Sequence, residues 1–590
     1  MKLHPALVLL AAGAVLAQDD RSEVRVPVST STVTVVESLP ACEKGSEVPE
    51  FAKAFPTRAL ETKAGVAAFE VGREPVYVLD GDTSLDAVLP AEGSPFGFHP
   101  ASVMGPGDRY AYAREIGIRW HRGLYAYWIL IQPTQEDIDT GTFHWEQNDA
   151  EWGSVPETMA ILGNIGLPER RGEGGSWIST WKLNQPEEAY LKFVKAVVER
   201  YDGDGEDDMP GLKVPIRHWQ VENEPDIASE DWQGYAHIQE ITSGAIKEAC
   251  PEATVLMGGQ TGGGIPVFDK FYAPALERLG GRCVDVYDIH YYGDAKMDWR
   301  GVSKVYGHVR KELDRLGYSK TRIWITEMGS YSGQPGDEES KPRPAPRNER
   351  ERNHQRDLDA LPKPPRIRLA AQSEREQARD VVKRYVFPLS IGVEKVFWAF
   401  GLMEGFQHDD GYFDHTGFVY DGEFDDDPAR GTKKLAYVAY RKMTQVLDGA
   451  DWSRAETLDL GKDVCAIRVP RGQGRVTVVW FDPAYPKTIA LSKEALAEVR
   501  RRLDGMGTEP TDAGNVRERF RTLRELILYV LQEGGPACVE DWAPREAVVG
   551  IEERLRKGDA DAPAAVEELL GKAREAFAAD PKAGAGHEGK

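Results

Sequence analysis

Between Ser94 and Leu447, short β-leaning runs alternate with helical ones, and nothing else in this chain restricts its fold so tightly. Such alternation calls for βα units around a parallel sheet. Candidate strands lie at 96–99, 118–122, a run ending at 165, 214–221, 254–258, 284–292, 322–326 and 395–400. Helices are predicted at 108–116, 186–201, 235–249, 302–316, 374–391 and 433–447; in the second, Tyr190, Phe193, Val194 and Val197 recur at helical spacing. Residues 157–165 read as a helix running into the third strand. Eight strands, each followed by a helix or helical loop, predict an α/β fold, a (β/α)8 TIM barrel over 94–450. The carboxyl ends of its strands would form the active face.

A chain of 590 residues is too long for one core. Strands at 24–36, 65–72 and 75–79 precede the barrel, within an N-terminal segment spanning 18–93. Strands at 464–469 and 476–481, within 451–491, follow it around Gly472-Gln473-Gly474. The later pair is expected to join the strands near 66–79 in one small accessory β-sheet. Helical runs at 493–503, 514–532, 544–556 and 562–578 predict an appended helical domain over 492–580, whose function and protein partner cannot be read. The tail from Pro581 is Gly- and Lys-rich and is expected to be disordered. Residues 331–372, dense in Pro, Arg, Glu and Asp, read as an insertion after the seventh strand that buries little apolar surface.

Met1 to Ala17 has a Lys near its start and an apolar run from Ala6 to Leu16, the pattern of a signal peptide. The protein is therefore expected to be secreted or periplasmic. No Cys directly follows the apolar run, and no later run reaches the ~18 apolar residues of a membrane span, so no membrane anchor is expected. The five Cys, at 42, 250, 283, 465 and 538, have no metal-ligand spacing. A 250–283 bridge and two buried thiols both remain open. A net charge of −23 argues against nucleic acid as a partner. Gly258-Gly259 and Gly262-Gly263-Gly264 lack the Lys-Ser/Thr or following acidic residue of a nucleotide site and read as a strand-to-helix turn. No cofactor and no metal is expected.

The chemistry lies at two strand ends. The fourth strand closes on His218-Trp219-Gln220-Val221-Glu222-Asn223-Glu224-Pro225. Its Pro has no N–H to extend a ladder, so Glu224 stands at the carboxyl end. The seventh closes on Arg322-Ile323-Trp324-Ile325-Thr326-Glu327-Met328-Gly329 and presents Glu327 there. Two carboxyls facing one sugar ring can protonate a leaving oxygen and stabilise an oxocarbenium-like transition state. Glu224 is assigned as acid/base and Glu327 as nucleophile. Arg122 and Tyr292 are assigned to hold Glu327 in its charged form, while burial and the Glu327 charge would favour neutral Glu224. Strict alternation would put Glu222 on the face of Glu224, but Glu222 is read as structural. Trp177 and Trp181 are either outer sugar platforms or pins of their loop.

Asn223-Glu224-Pro225 on strand four and Thr326-Glu327 on strand seven resemble the signature of clan A glycoside hydrolases. His290-Tyr291-Tyr292 is similar to that clan's His-x-Tyr, Arg122 to its second-strand Arg, and Trp398 to its active-site Trp. Thr142-Phe143-His144-Trp145 through Asp149 resembles the segment before its third strand. The resemblance covers about 94–447 and is nearest to the β-xylosidase and iduronidase family or to the cellulase and mannanase family. Glu222 departs from it, since many members carry an apolar or aromatic residue there. The resemblance implies a retaining glycoside hydrolase cleaving β-glycosidic bonds in poly- or oligosaccharides, with carbohydrate as partner. It implies that Asn223 bonds the sugar 2-hydroxyl, that Tyr292 and Arg122 orient Glu327, that His290 lines the site, and that Trp398 floors the subsite before the cleaved bond. The competing readings are a catalytically inactive carbohydrate-binding or scaffold barrel, and an inverting hydrolase. Inversion needs carboxyls ~6.5–9.5 Å apart and retention ~5–5.5 Å.

Overall fold

The computed structural model describes residues 21–39, 57–85, 90–103, 107–166, 181–262, 264–293, 299–333, 372–405, 411–421, 430–482, 491, 493–507, 515–534, 542–543 and 545–578. The signal segment, Cys42, Trp177, the Gly-rich stretch 170–176, Cys538 and the tail from Pro581 lie outside the described residues, as does nearly all of the 331–372 insertion.

Five strands precede the barrel: β1 (Ser22–Pro27), β2 (Thr32–Glu37), β3 (Thr57–Glu61), β4 (Val66–Val71) and β5 (Val76–Asp80). Eight parallel strands then close on themselves: β6 (Phe96–His99), β7 (Trp120–Tyr127), β8 (Ala160–Gly166), β9 (His218–Val221), β10 (Thr254–Met257), β11 (Val286–Tyr292), β12 (Arg322–Gly329) and β13 (Lys395–Ala399). The fold is a (β/α)8 barrel with accessory sheets and C-terminal helices. Several boundaries shift by a few residues from the sequence reading, and one helix is placed differently. The helix before β8 is Glu146–Trp152, not 157–165. Gly153 ends it, and Pro156 opens a turn, closed by the Met159 N–H on its carbonyl, that leads into the strand.

Alternation along each strand sorts the side chains into two cores. Trp120, Ala160, Leu162, Leu256, Val286, Trp324 and Phe397 point inward and fill the barrel. Their outward neighbours, such as Ile161, Trp219, Val255, Ile325 and Trp398, pack on the surrounding helices. Below the inner layer Lys395 places Nζ 4.6 Å from the Trp120 ring centre and donates to the carbonyls of Glu92 and Ser94. The inner layer is filled tightly enough that Gly97 has no room for a Cβ, which would fall 2.5 Å from the Phe397 ring.

The accessory strands divide differently from the sequence reading. β14 (Glu456–Thr457), β15 (Val464–Arg471) and β16 (Gly474–Phe481) extend a six-stranded sheet in the order β14-β15-β16-β5-β2-β3. β4 does not join it; it pairs with β1 as a separate ribbon. Ala67, Phe69 and Val71 of β4, with Val24 and Val26 of β1, lie face-on against Val33, Val35, Val78 and Val479. The other sheet face, with Tyr77, Val476, Val478 and Trp480, is continuous with the barrel's outer core. A strand buried on both faces reads as an unbroken apolar run, which is how β5 reads.

The C-terminal helices Lys493–Gly505, Val516–Gly534, Arg545–Lys557 and Ala562–Ala578 enclose a core of their own, including Val499, Leu523, Leu526, Val530, Val566 and Leu570. Cys250 and Cys283 are free thiols, which excludes the bridge between them. No described helix is long and apolar enough to cross a membrane.

Replacing Gly97 by Ala should destabilise the protein by about 1–3 kcal/mol through overpacking against Phe397. Gly307→Ala is the control: it lies within the helix Val302–Arg315, where a Cβ would meet nothing within 4 Å, and it should stabilise by roughly 0.5–1 kcal/mol. Urea unfolding of the two variants beside wild type reads both signs.

Candidate active site

Above the apolar layer the inward positions turn polar. His99, Arg122, Asn164, Gln220, Asp288, His290, Thr326 and Glu327 are all buried. Three register shifts set which side chains reach this level. Between Arg122 and Leu124 the β7–β8 register slips at Gly123, whose φ is 121°. Arg122 shares the inward face of Trp120 by alternation; beyond the slip Leu124 and Ala126 join the outer core, and Tyr125 and Tyr127 continue the inner face as a stacked pair. Shifts between Asp288 and His290 on β11, and between Ile325 and Met328 on β12, let Thr326 and the adjacent Glu327 both face the interior. Such bulges re-aim side chains at barrel rims.

Beyond β9 the alternation ends. Glu222 and Glu224 both adopt left-handed backbone, with φ of 65° and 47°. The Glu222 carboxylate lies beside Gly166, within electrostatic reach of the phenols of Tyr190 and Tyr235. Glu224 caps the short helix Pro225–Ala228 and turns its side chain inward to His290. Two carboxylates on one β-leaning run thus have different surroundings.

The inward groups form one bonded cluster. Arg122 is fully buried and donates from Nη1 to Glu327 Oε1 (2.6 Å), from Nη2 to Asn223 Oδ1 (2.5 Å) and from Nε to Gln220 Oε1 (2.9 Å). Tyr292 donates its hydroxyl to Glu327 Oε2 (2.5 Å). His290 Nδ1 lies 2.6 Å from Glu224 Oε1 and 3.4 Å from Glu327 Oε2. His99 Nε2 is 3.5 Å from Glu327 Oε1. One oxygen of Glu224 and one of Glu327 stand within 4.8 Å of each other.

Burial raises the Glu327 carboxyl above the ordinary carboxylate value, and Glu224 adds to the rise. His290, Arg122 and the Tyr292 hydroxyl pull it back. For His290 burial works against the charged form, but Glu327, Asp288 and a bond to Glu224 outweigh it and push the imidazole up to about 10. His99 goes the other way: burial and the Arg122 charge hold it well below its ordinary value, so it is neutral. Glu224 is less enclosed than the sequence reading supposed, with 22% of its side chain open to solvent. Glu327 lies at the floor, 1% exposed.

No protein-family profile matches the chain, and no curated protein does. Solved structures give distant likenesses. A family 39 glycoside hydrolase from Bacteroides cellulosilyticus is 15% identical, covering 78% of this chain and 87% of its own, with a TM-score of 0.46. A family 51 α-L-arabinofuranosidase from Bifidobacterium longum is 12% identical, over 63% and 76% of the two chains, with a TM-score of 0.38. An endo-β-1,4-mannanase from Thermotoga petrophila is 12% identical, over 68% and 87%, with a TM-score of 0.33. The barrel assignment rests on the strand order, not on these likenesses.

The structure brings together Arg122, Asn223, Glu224, His290, Tyr292 and Glu327, and it leaves out Trp398. Phe397 takes the inward position of β13, so Trp398 points outward. There Trp398 is fully buried, stacks on Tyr385, packs on Phe418 and donates its Nε1–H to the Thr416 carbonyl (2.9 Å). It cannot floor a subsite. The aromatic at this strand end that reaches the cluster is Phe400, 4.8 Å from the His99 ring and stacked on Tyr292 at 6.3 Å. Trp181 is buried against Tyr235 and is no open platform.

Sequence reading also missed His99, Gln220, Asp288 and Thr326. Gln220 stands four residues before Glu224 and Asp288 two before His290, so period-two spacing from the assigned residues was their signal. A cation in the Glu224–His290–Glu327 triangle would lie close to the Arg122 guanidinium bonded to Glu327, a charge unsuited to a neighbouring metal. Another carboxylate group, Asp202, Asp204 and Asp208, lies in the loop after the helix Glu187–Tyr201. Asp208 accepts the N–H groups of Gly203 (2.9 Å) and Gly205 (2.8 Å), which shapes the loop.

Arg122→Ala should cost about 3–5 kcal/mol, because it strands the buried Glu327 carboxylate. Arg122→Lys should recover only part of this, since an ammonium cannot serve three acceptors in a plane. Guanidinium unfolding midpoints of the three proteins check the order.

Proposed function

We propose that this chain is a secreted retaining glycoside hydrolase that cleaves β-glycosidic bonds in poly- or oligosaccharides. The observation that carries the reading is the pair of carboxyls at the ends of β9 and β12, within 4.8 Å at their nearest oxygens. That separation supports retention, which needs carboxyls ~5–5.5 Å apart, over inversion, whose ~6.5–9.5 Å admits a water. Secretion rests on the Met1–Ala17 pattern alone.

In the first step Glu327 attacks the anomeric carbon, the bond to the leaving oxygen breaks, and Glu224 gives that oxygen its proton. In the second, Glu224 takes a proton from water, the water oxygen attacks the same carbon, and the Glu327 carboxylate leaves. The arrangement suits this division. Glu327 receives hydrogen bonds from Arg122 and Tyr292, both of which favour its anion. Glu224 is the more open of the two and can meet a leaving group and then a water. Asn223 spends its Oδ1 on Arg122, which leaves its amide N–H groups to reach a sugar 2-hydroxyl. Phe400 replaces Trp398 as the proposed apolar floor.

A β-linked 2-fluoroglycoside should label one peptide, that containing Glu327, in digests read by mass spectrometry. The panel is the 2-fluoro forms of xylose, glucose, galactose and mannose. Absence of label with all four, together with no turnover of the matching aryl glycosides or of soluble polysaccharides, sinks the hydrolase reading. Glu327→Ala should lose turnover and, with added azide, convert an aryl β-glycoside to the α-glycosyl azide. Glu224→Ala should lose about 10²–10⁴-fold on unactivated glycans, the usual worth of general acid–base catalysis, while still releasing an activated phenol in the first step. Wild-type rates for Glu224→Ala on unactivated glycans would remove the acid assignment.

A further inference from the structure

Asp288 was not among the residues read from the sequence, and the two-step chemistry does not call on it. It is wholly buried on β11, two residues before His290. Its carboxylate accepts from Gln220 Nε2 (2.6 Å), the Thr326 N–H (2.9 Å) and Thr326 Oγ1 (2.5 Å). Among the described residues its one ion-pair partner is His290, whose Nε2 lies 3.3 Å from Asp288 Oδ2. The ring has little freedom to turn away. A Cβ on Gly259 would fall on His290 Nε2 and crowd Asp288, so this glycine makes the space that the imidazole occupies.

Both ring nitrogens therefore face carboxylates: Nε2 faces Asp288, and Nδ1 faces Glu224 at 2.6 Å with Glu327 at 3.4 Å. A neutral histidine has one N–H and would turn a lone pair on one of these anions. The doubly protonated ring satisfies both sides with Glu224 Oε1 unprotonated; the alternative, a neutral ring accepting from a protonated Oε1, would put the acid's proton on the oxygen bonded to His290 rather than on Oε2. We propose that Asp288 is a positioning residue: it holds His290 as an imidazolium between Glu224 and Glu327, so that Glu224 Oε1 is occupied and Oε2 carries the proton that moves in the reaction. The groups facing this imidazolium are Glu224, Glu327, Asp288, Arg122, His99 and Tyr292. Three carboxylates against the two cations Arg122 and His290 leave one surplus negative charge, which suits a single mobile proton. His99 is neutral and the Tyr292 phenol stays protonated, since burial and Glu327 hold it well above its ordinary range. The elevated proton affinity of His290 agrees with this count.

The kinetic part of this inference rests on the hydrolase reading; the protonation state of His290 does not. In Asp288→Asn the amide keeps the shape but not the charge, and the ring should lose one proton. Glu224 and Glu327 would then face each other without a cation between them. Asp288 lies behind the ring whereas the imidazolium touches both carboxylates, so losing the two charges together increases the net repulsion. Both carboxyl pKa values should rise.

The test uses the full chain with ¹⁵N-labelled histidine, the His290 ring signals being assigned by their loss in His290→Gln. At pH 7.5 both ring nitrogens of His290 should be protonated in wild type, and one only in Asp288→Asn. The pH profile of kcat/KM on an aryl β-glycoside should move upward by on the order of one unit. Turnover of unactivated glycans should fall about 10²-fold, with a smaller loss on activated phenols. A neutral His290 in wild type overturns the proposal, and so does an unchanged imidazolium in Asp288→Asn. If Asp288→Asn does not fold, the wild-type spectrum still decides. If wild type proves inactive and unlabelled, the hydrolase reading falls while the spectrum still reports on Asp288.

Discussion

The Arg122–Glu327 pair is the constraint around which the top of the barrel is arranged. A guanidinium with no solvent exposure is tolerable only if its donors and its charge are both met inside the protein. Here the three acceptors come from two strand ends: Gln220 on β9, Asn223 just beyond it, and Glu327 on β12. The side chain thus ties the second strand to the fourth and seventh across the interior. That geometry exists only because the layer beneath, built on Trp120, Trp324 and Phe397, fills the barrel and keeps water from below. Packing sets the height of the floor, and the ion pair sets the orientation of the carboxylate on it.

What the sequence made legible is what repeats. Strands and helices alternate with enough regularity to count eight units, and each βα unit ends in a place that physics marks as the active face. Glu224 and Glu327 could be read because Pro225 and Gly329 cut their strands at those points. What stayed illegible lies where a local irregularity resets the alternation. Gly123 on β7 exchanges the inward and outward sets within one residue. The left-handed backbone at Glu222 and Glu224 ends the alternation of β9 before the catalytic candidate is reached. Period-two reasoning has no means of detecting either, since Gly marks a bulge only in some of the strands that contain it.

Trp398 was misplaced for a related reason. It lies next to Phe397 in an unbroken apolar run, and such a run does not say which member faces in. The interior needed a ring at the height of Trp120 and Trp324, and Phe397 supplies it 6.1 and 6.2 Å from theirs. β4 failed in the sheet for a matching cause. Its buried positions alternate with exposed ones, which fits a ribbon laid on a sheet as well as a strand within one.

The helix Glu374–Ser390 shows why the outward face of β13 had to be structural. Its Tyr385 donates a hydroxyl to the Gly97 carbonyl (2.8 Å) and accepts the Trp398 N–H (3.0 Å), pinning the first and last strands where the barrel closes. Its other side meets the accessory layers. Arg375 donates to Glu74 (2.6 Å), and Lys383 to Asp482 (2.8 Å). Burial works against the Glu74 anion, yet Arg375 and Arg379 bring its pKa down to about 2, so this clamp stays charged across the neutral range. The same Asp482 accepts the Trp299 indole N–H (3.1 Å) from the segment after β11. One helix thus couples barrel closure to sheet docking. A tryptophan at position 398 serves that seam, which leaves Phe400, one peptide beyond the end of the strand, to face whatever enters the site.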